Sequence, residues 1–258
     1  MPSPETDGFR LTVFNVCMLR TSFIIIEIIC LTAFMALMVI LLSFIRAGGD
    51  TIHKVGRIWA KCILRVSKIK VTVKGYSNLK PGKSYIYMPN HVSNIDIPVL
   101  QAYLPVQFRW LAKAELYKIP IFGHAMKSAG YISIDRSDRR SAINSLNHVA
   151  RIIRNGVSVI IFPEGTRSRT RNIQPFKKGG FVLAVDSGVS IIPIIIHGTG
   201  QIMPRKKISI KSGNVTLEIT KPIKSSDYTR KTKDDLMKKV RNIIQESYDK
   251  GKQNGSTC

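Results

Sequence analysis

The chain has 258 residues, 44% of them hydrophobic and 22% charged, with no low-complexity tract. This excludes a disordered or fibrous protein and leaves room for one α/β domain plus an appended module. Lys and Arg number 40 against 16 Asp and Glu, a net charge of +24 that calls for an anionic partner: nucleic acid, a membrane surface or phosphorylated substrates.

The first predicted element is apolar. Residues 22–45 are interrupted only by Ser22, Glu27, Thr32 and Ser43, and as a helix they are long enough to cross a hydrocarbon core of about 30 Å. Full span and shallow re-entrant insertion are both open, because Glu27 is costly in lipid unless it lies near the interface or pairs. Next, Lys54, Arg57, Lys61, Arg65 and Lys68 fall on one helical stripe, with Val55, Ile58, Trp59, Cys62, Val66 and Ile69 on the other. The pattern predicts a helix lying in an anionic membrane surface, apolar face down, on the cytoplasmic side by the positive-inside rule. Four cysteines without a C-x-x-C pair make neither a disulfide framework nor a zinc site, and fit a reducing exposure.

Residues 1–68 thus read as an N-terminal α-helical membrane-binding module and residues 69–258 as a second domain. There, β-branched runs at 69–74, 84–88, 131–135, 157–162, 190–196 and 215–220 alternate with helical stretches at 97–103, 121–129, 139–155 and 178–186. A further amphipathic helix is predicted at 234–249. The alternation predicts an α/β fold with a mainly parallel central sheet flanked by helices.

No G-x-S-x-G elbow, H-E-x-x-H pair, Walker A loop or G-x-G-x-x-G turn occurs. The polar clusters instead each follow a predicted strand: Asn90-His91-Val92-Ser93-Asn94-Ile95-Asp96, then Asp135-Arg136, then Pro163-Glu164-Gly165-Thr166-Arg167-Ser168. The carboxyl ends of parallel strands line one crevice, so the three clusters are expected to converge there. Asp96 lies five residues after His91, across a turn that Ser93 or Asn94 would cap. A carboxylate so placed fixes the imidazole tautomer and leaves the other ring nitrogen basic. His53, His124, His148 and His197 have no carboxylate at suitable spacing and read as structural. In residues 163–168, Gly165 permits close backbone approach, Thr166 offers a hydroxyl and Arg167 a planar fork for phosphate or carboxylate.

In order and spacing, N-H-x-S-x-x-D (residues 90–96), G-x-x-x-I-D-R (130–136), F-P-E-G-T-R-S (162–168) and Ile192-Pro193-Ile194 resemble the blocks of the glycerolipid acyltransferase family, in particular its bacterial 1-acyl-glycerol-3-phosphate branch. The resemblance runs from about residue 74 to 220 and includes Lys113-Ala114-Glu115-Leu116. It implies transfer of a fatty acyl group from acyl-CoA or acyl carrier protein to the 2-hydroxyl of lysophosphatidic acid. The product would be phosphatidic acid, made at the cytoplasmic face of the inner membrane with no metal and no other cofactor. His91 would be the general base and Asp96 its orienting carboxylate. Arg167, with Lys113 and Arg136, would hold the acceptor phosphate, and Glu164 would contact the glycerol. Asn90, Ser93, Gly165 and Thr166 would complete the substrate-binding set, with backbone N–H groups near Gly165 stabilising an oxyanion. Isoleucine on both sides of Pro193 would bear on acyl-chain preference.

Two other classes compete. A nucleic-acid or membrane-surface binder would explain the charge, yet it gives the His91–Asp96 pair no role, and Trp59 and Trp110 are too isolated to form a base-stacking platform. A thioesterase or lipid hydrolase would use similar carboxyl chemistry with water as acceptor.

Overall fold

The computed structural model describes residues 4–45, 48–135, 139–170, 172–205 and 209–254. Two helices lead: α1 (Pro4–Phe44) and α2 (Gly49–Val66). Then follow β1 (Ile69–Lys74), β2 (Ile86–Pro89), α3 (Asp96–Tyr103), β3 (Arg109–Lys113), α4 (Phe122–Ser128), β4 (Ile132–Ile134), α5 (Arg139–Arg154) and β5 (Val159–Ile160). The chain continues through α6 (Gly179–Ser187), β6 (Ile191–His197), α7 (Thr199–Ile202), β7 (Gly213–Ile219) and α8 (Lys233–Asn254).

The strands form one sheet in the order β1-β7-β6-β2-β5-β3-β4, and every neighbouring pair is parallel except β6 with β7. The alternation of apolar side chains builds two cores. On β6, Ile191 and Ile195 face the layer of α5, α6 and α8, while Ile192, Ile194 and Ile196 face the layer of α2 and α3. All five are fully buried, as a central strand covered on both faces requires. Ile192 and Ile194 are thus packed inside this layer and are not among the residues lining the cavity that His91 lines.

Two elements escaped the sequence reading. Strand β3 has the composition Arg-Trp-Leu-Ala-Lys, with neither clean alternation nor a β-branched run, and is held as a strand by parallel neighbours on both sides. Helix α7 is a single turn too short to carry a period.

In α1, residues Met18–Phe44 form a helix long and apolar enough to cross a membrane. One stripe of it, including Thr21, Ile24, Ala36 and Val39, is buried, while Phe23, Ile26, Ile29, Phe34, Leu37 and Leu41 are exposed. Helix α2 differs from the expected interfacial helix in a specific way. Ile52, His53, Ala60, Ile63 and Leu64 bury against the domain, with Ala60 and Leu64 inside the α3-side core. Of the stripe expected to face lipid, Val55 packs beside Val39, and Trp59 donates its indole N–H to Thr32 Oγ1 of α1 at 3.0 Å. A period of 3.6 cannot tell lipid from a neighbouring helix. Arg57 also leaves the cationic face, donating to the Leu104 and Val106 carbonyls, whereas Lys54, Lys61, Arg65 and Lys68 stay exposed.

The turn after β6 depends on Gly198, at φ +92°, where a Cβ would sit 2.4 Å from the Asn214 carbonyl oxygen. A side chain there meets both a left-handed backbone and a fixed peptide group. Gly198→Ala is expected to destabilise the protein by more than about 1–3 kcal/mol, read as a lowered thermal midpoint in detergent; an unchanged midpoint would show that this turn does not constrain the fold.

Candidate active site

Strands β2 and β5 are neighbours, and the polar clusters at 90–96 and 163–168 follow their carboxyl ends. After β2 the chain turns through residues 90–95 into α3, whose first residue is Asp96. The Asp96 carboxylate closes this turn: its Oδ2 accepts the backbone N–H groups of Val92 and Ser93, each at 2.8 Å. The same oxygen lies 2.8 Å from His91 Nδ1. Asp96 is fully buried, so a carboxylate acceptor on Nδ1 fixes the proton there and leaves Nε2 as the basic nitrogen. The imidazole lies on the Phe162 ring, with centroids 3.8 Å apart and planes 16° apart, which fixes its orientation from the side.

The loop after β5 is stapled to His91 from both ends of its peptide unit. His91 N–H donates to Glu164 Oε1 and His91 C=O accepts from Ser168 N–H, both at 2.8 Å. Glu164 Oε2 accepts Gln174 N–H at 2.8 Å. Glu164 is 1% exposed. Burial pushes its carboxyl up to about 7, opposed by the two backbone N–H groups. Gly165 takes φ +71° and returns its own N–H to the Phe162 carbonyl at 3.0 Å.

A cavity of about 500 Å³ opens here. Its lining includes His91, Lys113, Gly165, Thr166 and Arg167 together with apolar residues of α1, α2, β3 and α4, among them Ala36, Val39, Val55, Trp110 and Met126. Among these apolar walls Gln101 is a polar anchor, its Oε1 accepting from Trp110 Nε1 at 2.8 Å and from the Tyr131 hydroxyl at 3.3 Å.

Of the residues singled out from sequence, His91, Lys113, Gly165, Thr166 and Arg167 meet around this cavity, with Asp96 directly behind the histidine. Three do not reach its wall. Asn90 is fully buried and spends its amide on the Ile196 backbone, donating to its oxygen at 3.1 Å and accepting from its N–H at 2.7 Å. Ser93, also fully buried, donates to the Met203 carbonyl at 2.9 Å and accepts from Ile95 N–H at 3.2 Å. Glu164 braces His91 and Gln174, each of its oxygens accepting one backbone N–H. Arg136 lies outside the described residues. Sequence reasoning missed Trp110 and Gln101, for which no local pattern existed. It also missed Thr199 and Arg205: Thr199 Oγ1 donates to Asp96 Oδ1 at 2.6 Å, and the Arg205 guanidinium donates to the Arg167 carbonyl. The other histidines stay away from the cavity, though His197 does have a carboxylate, Glu218, supplied at 3.4 Å by the adjacent strand β7.

The sequence pattern of the Acyltransferase family matches residues 70–197. Over 199 residues the chain is 36% identical to a chloroplastic 1-acyl-sn-glycerol-3-phosphate acyltransferase of Arabidopsis thaliana, covering 76% of this chain and 54% of that one. It is 30% identical over 244 residues to the 1-acyl-sn-glycerol-3-phosphate acyltransferase of Limnanthes douglasii, covering 93% of this chain and 84% of the relative. The chain thus spans about half the length of the Arabidopsis relative and most of the Limnanthes one. Its fold matches the crystal structure of the 1-acyl-sn-glycerophosphate (LPA) acyltransferase from Thermotoga maritima with a TM-score of 0.77 at 25% identity, covering 90% of this chain and 94% of that chain.

Glu164 gives the site a pH signature. Its folded value of about 7 lies above the ordinary 4.5, so the folded state binds the extra proton between these values. Folding stability attributable to Glu164 is therefore full below about 4.5 and declines as pH rises through about 7. Thermal midpoints of wild type and Glu164→Gln across this window are expected to differ in slope, the glutamine variant lacking this decline; parallel curves would contradict the assignment.

Proposed function

The chain belongs to the acyltransferase family, and from that premise we propose that it is a 1-acyl-sn-glycerol-3-phosphate O-acyltransferase. It would move a fatty acyl group from acyl-CoA or acyl carrier protein to the 2-hydroxyl of lysophosphatidic acid, producing phosphatidic acid and a free thiol. The observation that carries this reading is a carboxylate-steered imidazole lining the same cavity as Arg167 and Lys113. A phosphate-bearing acceptor gives the two cations a purpose.

His91 Nε2 takes the hydroxyl proton as the acceptor oxygen attacks the thioester carbonyl, and Asp96 stabilises the imidazolium that forms. The tetrahedral intermediate carries its negative charge on the former carbonyl oxygen. Because the Gly165 amide is committed to Phe162, the amides that follow it, of Thr166 and Arg167, are the ones left for that oxyanion. Collapse breaks the carbon–sulfur bond, and the imidazolium proton passes to the departing sulfur.

The apolar remainder of the cavity suits a fatty chain, and its walls include α1, whose exposed face suits lipid. Helix α1 is held to α2 through Thr32 and Trp59, and to α4 through Ser43 and His124, so it shares the depth of the domain over that stretch. This favours insertion from one side over an independent crossing. The exposed cations of α2 would then face anionic headgroups on the cytoplasmic leaflet.

The decisive assay supplies purified full-length protein in vesicles with both donor types and a panel of lyso-lipid acceptors. Ester-linked phosphatidic acid is the expected product; free fatty acid would make the protein a thioesterase, and no product would remove the enzyme reading. His91→Ala is expected to lower turnover by at least about 10²-fold with vesicle attachment intact. Arg167→Ala is expected to raise the KM for the phosphate-bearing acceptor more than the donor KM, and an equal change in both would detach Arg167 from the phosphate.

A further inference from the structure

The segment 199–205 belongs to none of the four sequence blocks, yet it reaches each part of the site. Thr199 opens α7 and donates to Asp96, Met203 accepts from Ser93 in the turn between His91 and Asp96, and Arg205 donates to the backbone of Arg167. The contact at Asp96 differs chemically from the other two, because it falls on the charged group that steers the imidazole.

The donors around that carboxylate are unevenly divided. Oδ2 receives three, from His91 Nδ1, Val92 N and Ser93 N, whereas Oδ1 receives the Thr199 hydroxyl at 2.6 Å. Both Asp96 and Thr199 are fully buried. An ionised carboxylate only accepts, so the hydroxyl is the donor, at a length characteristic of a charge-assisted bond. We propose that Thr199 is a positioning residue of the catalytic pair, its hydroxyl fixing the plane of the Asp96 carboxylate and drawing part of its charge towards Oδ1. The proposal rests on the reading of His91 as the general base.

Two consequences follow from the charge balance. With Thr199 donating, less of the negative charge bears on the His91 ring proton. Without it, Oδ1 becomes an unpaired buried acceptor, and the whole charge either pulls on Nδ1–H or turns away from it. Among the described residues, Glu164 holds the His91 backbone N–H, and Arg167 and Lys113 line the same cavity as His91. None of them touches the Asp96 carboxylate through a hydrogen bond among the described residues, so they do not substitute for the hydroxyl.

The test compares Thr199→Val, which has nearly the same shape and no hydroxyl, with Thr199→Ser, which keeps the donor. For Val, kcat is expected to fall about tenfold or more, with both KM values nearly unchanged and the acid limb of the pH–rate profile displaced to higher pH; Ser is expected to restore both. A second readout uses no substrate: in full-length protein carrying ¹⁵N-histidine in detergent micelles, the His91 Nδ1–H resonance, assigned by its loss in His91→Gln, should move downfield in Val and stay in place in Ser. If valine prevents folding, Thr199→Cys, with a much weaker donor, takes its place. A lowered thermal midpoint with an unmoved resonance and pH limb would reduce Thr199 to a packing role and overturn the proposal. A protein that shows the resonance shift but acylates no lyso-lipid would refute the proposed reaction and leave the Thr199 contact standing.

Discussion

A single buried carboxylate holds the arrangement together. Asp96 closes the turn that begins α3, steers the His91 imidazole and takes the Thr199 hydroxyl from a segment 103 residues further along the chain. A buried anion is tolerated only when its acceptor sites are filled, and four donors fill these. The geometry of the reacting nitrogen is thus a consequence of satisfying a charge, and any rearrangement that moves the ring leaves part of that charge unpaired. Glu164 acts similarly on the backbone, fixing the peptide of His91 through one oxygen and the loop at Gln174 through the other.

Sequence was most informative where function is local. His91 and Asp96 meet across five residues, so their spacing carried the pairing, and residues 163–168 carried a cationic turn that does reach the same cavity. The strand-and-helix alternation likewise predicted the mostly parallel sheet, whose strand ends bring these pieces together. What sequence withheld is what tertiary packing decides. Nothing near Thr199 announces a carboxylate on another element. Nothing near Glu164 or Asn90 announces that their polar atoms are spent on backbone groups inside the protein. Helix α2 shows the same limit from the apolar side: Val55 and Trp59 meet another helix, a surface that periodicity cannot distinguish from lipid.

The chemistry and the location of the site share one cause. A cavity lined by His91, Lys113 and Arg167 as well as by apolar residues of α1 brings charged and apolar walls into a single space. The same two helices that carry an exposed apolar face (α1) and exposed cations (α2) also line that space with their inner faces. The net charge of +24 favours anionic partners of any class.

The central claim, that His91 Nε2 faces the acceptor hydroxyl while Arg167 holds the phosphate, is tested most directly by a structure of the protein with lysophosphatidic acid and an unreactive thioether analogue of the acyl donor. The 2-hydroxyl oxygen is predicted to lie about 3 Å from Nε2, with the phosphate on the Arg167 guanidinium. A bound acceptor whose hydroxyl points away from His91, or whose phosphate rests on other cations, would contradict the account.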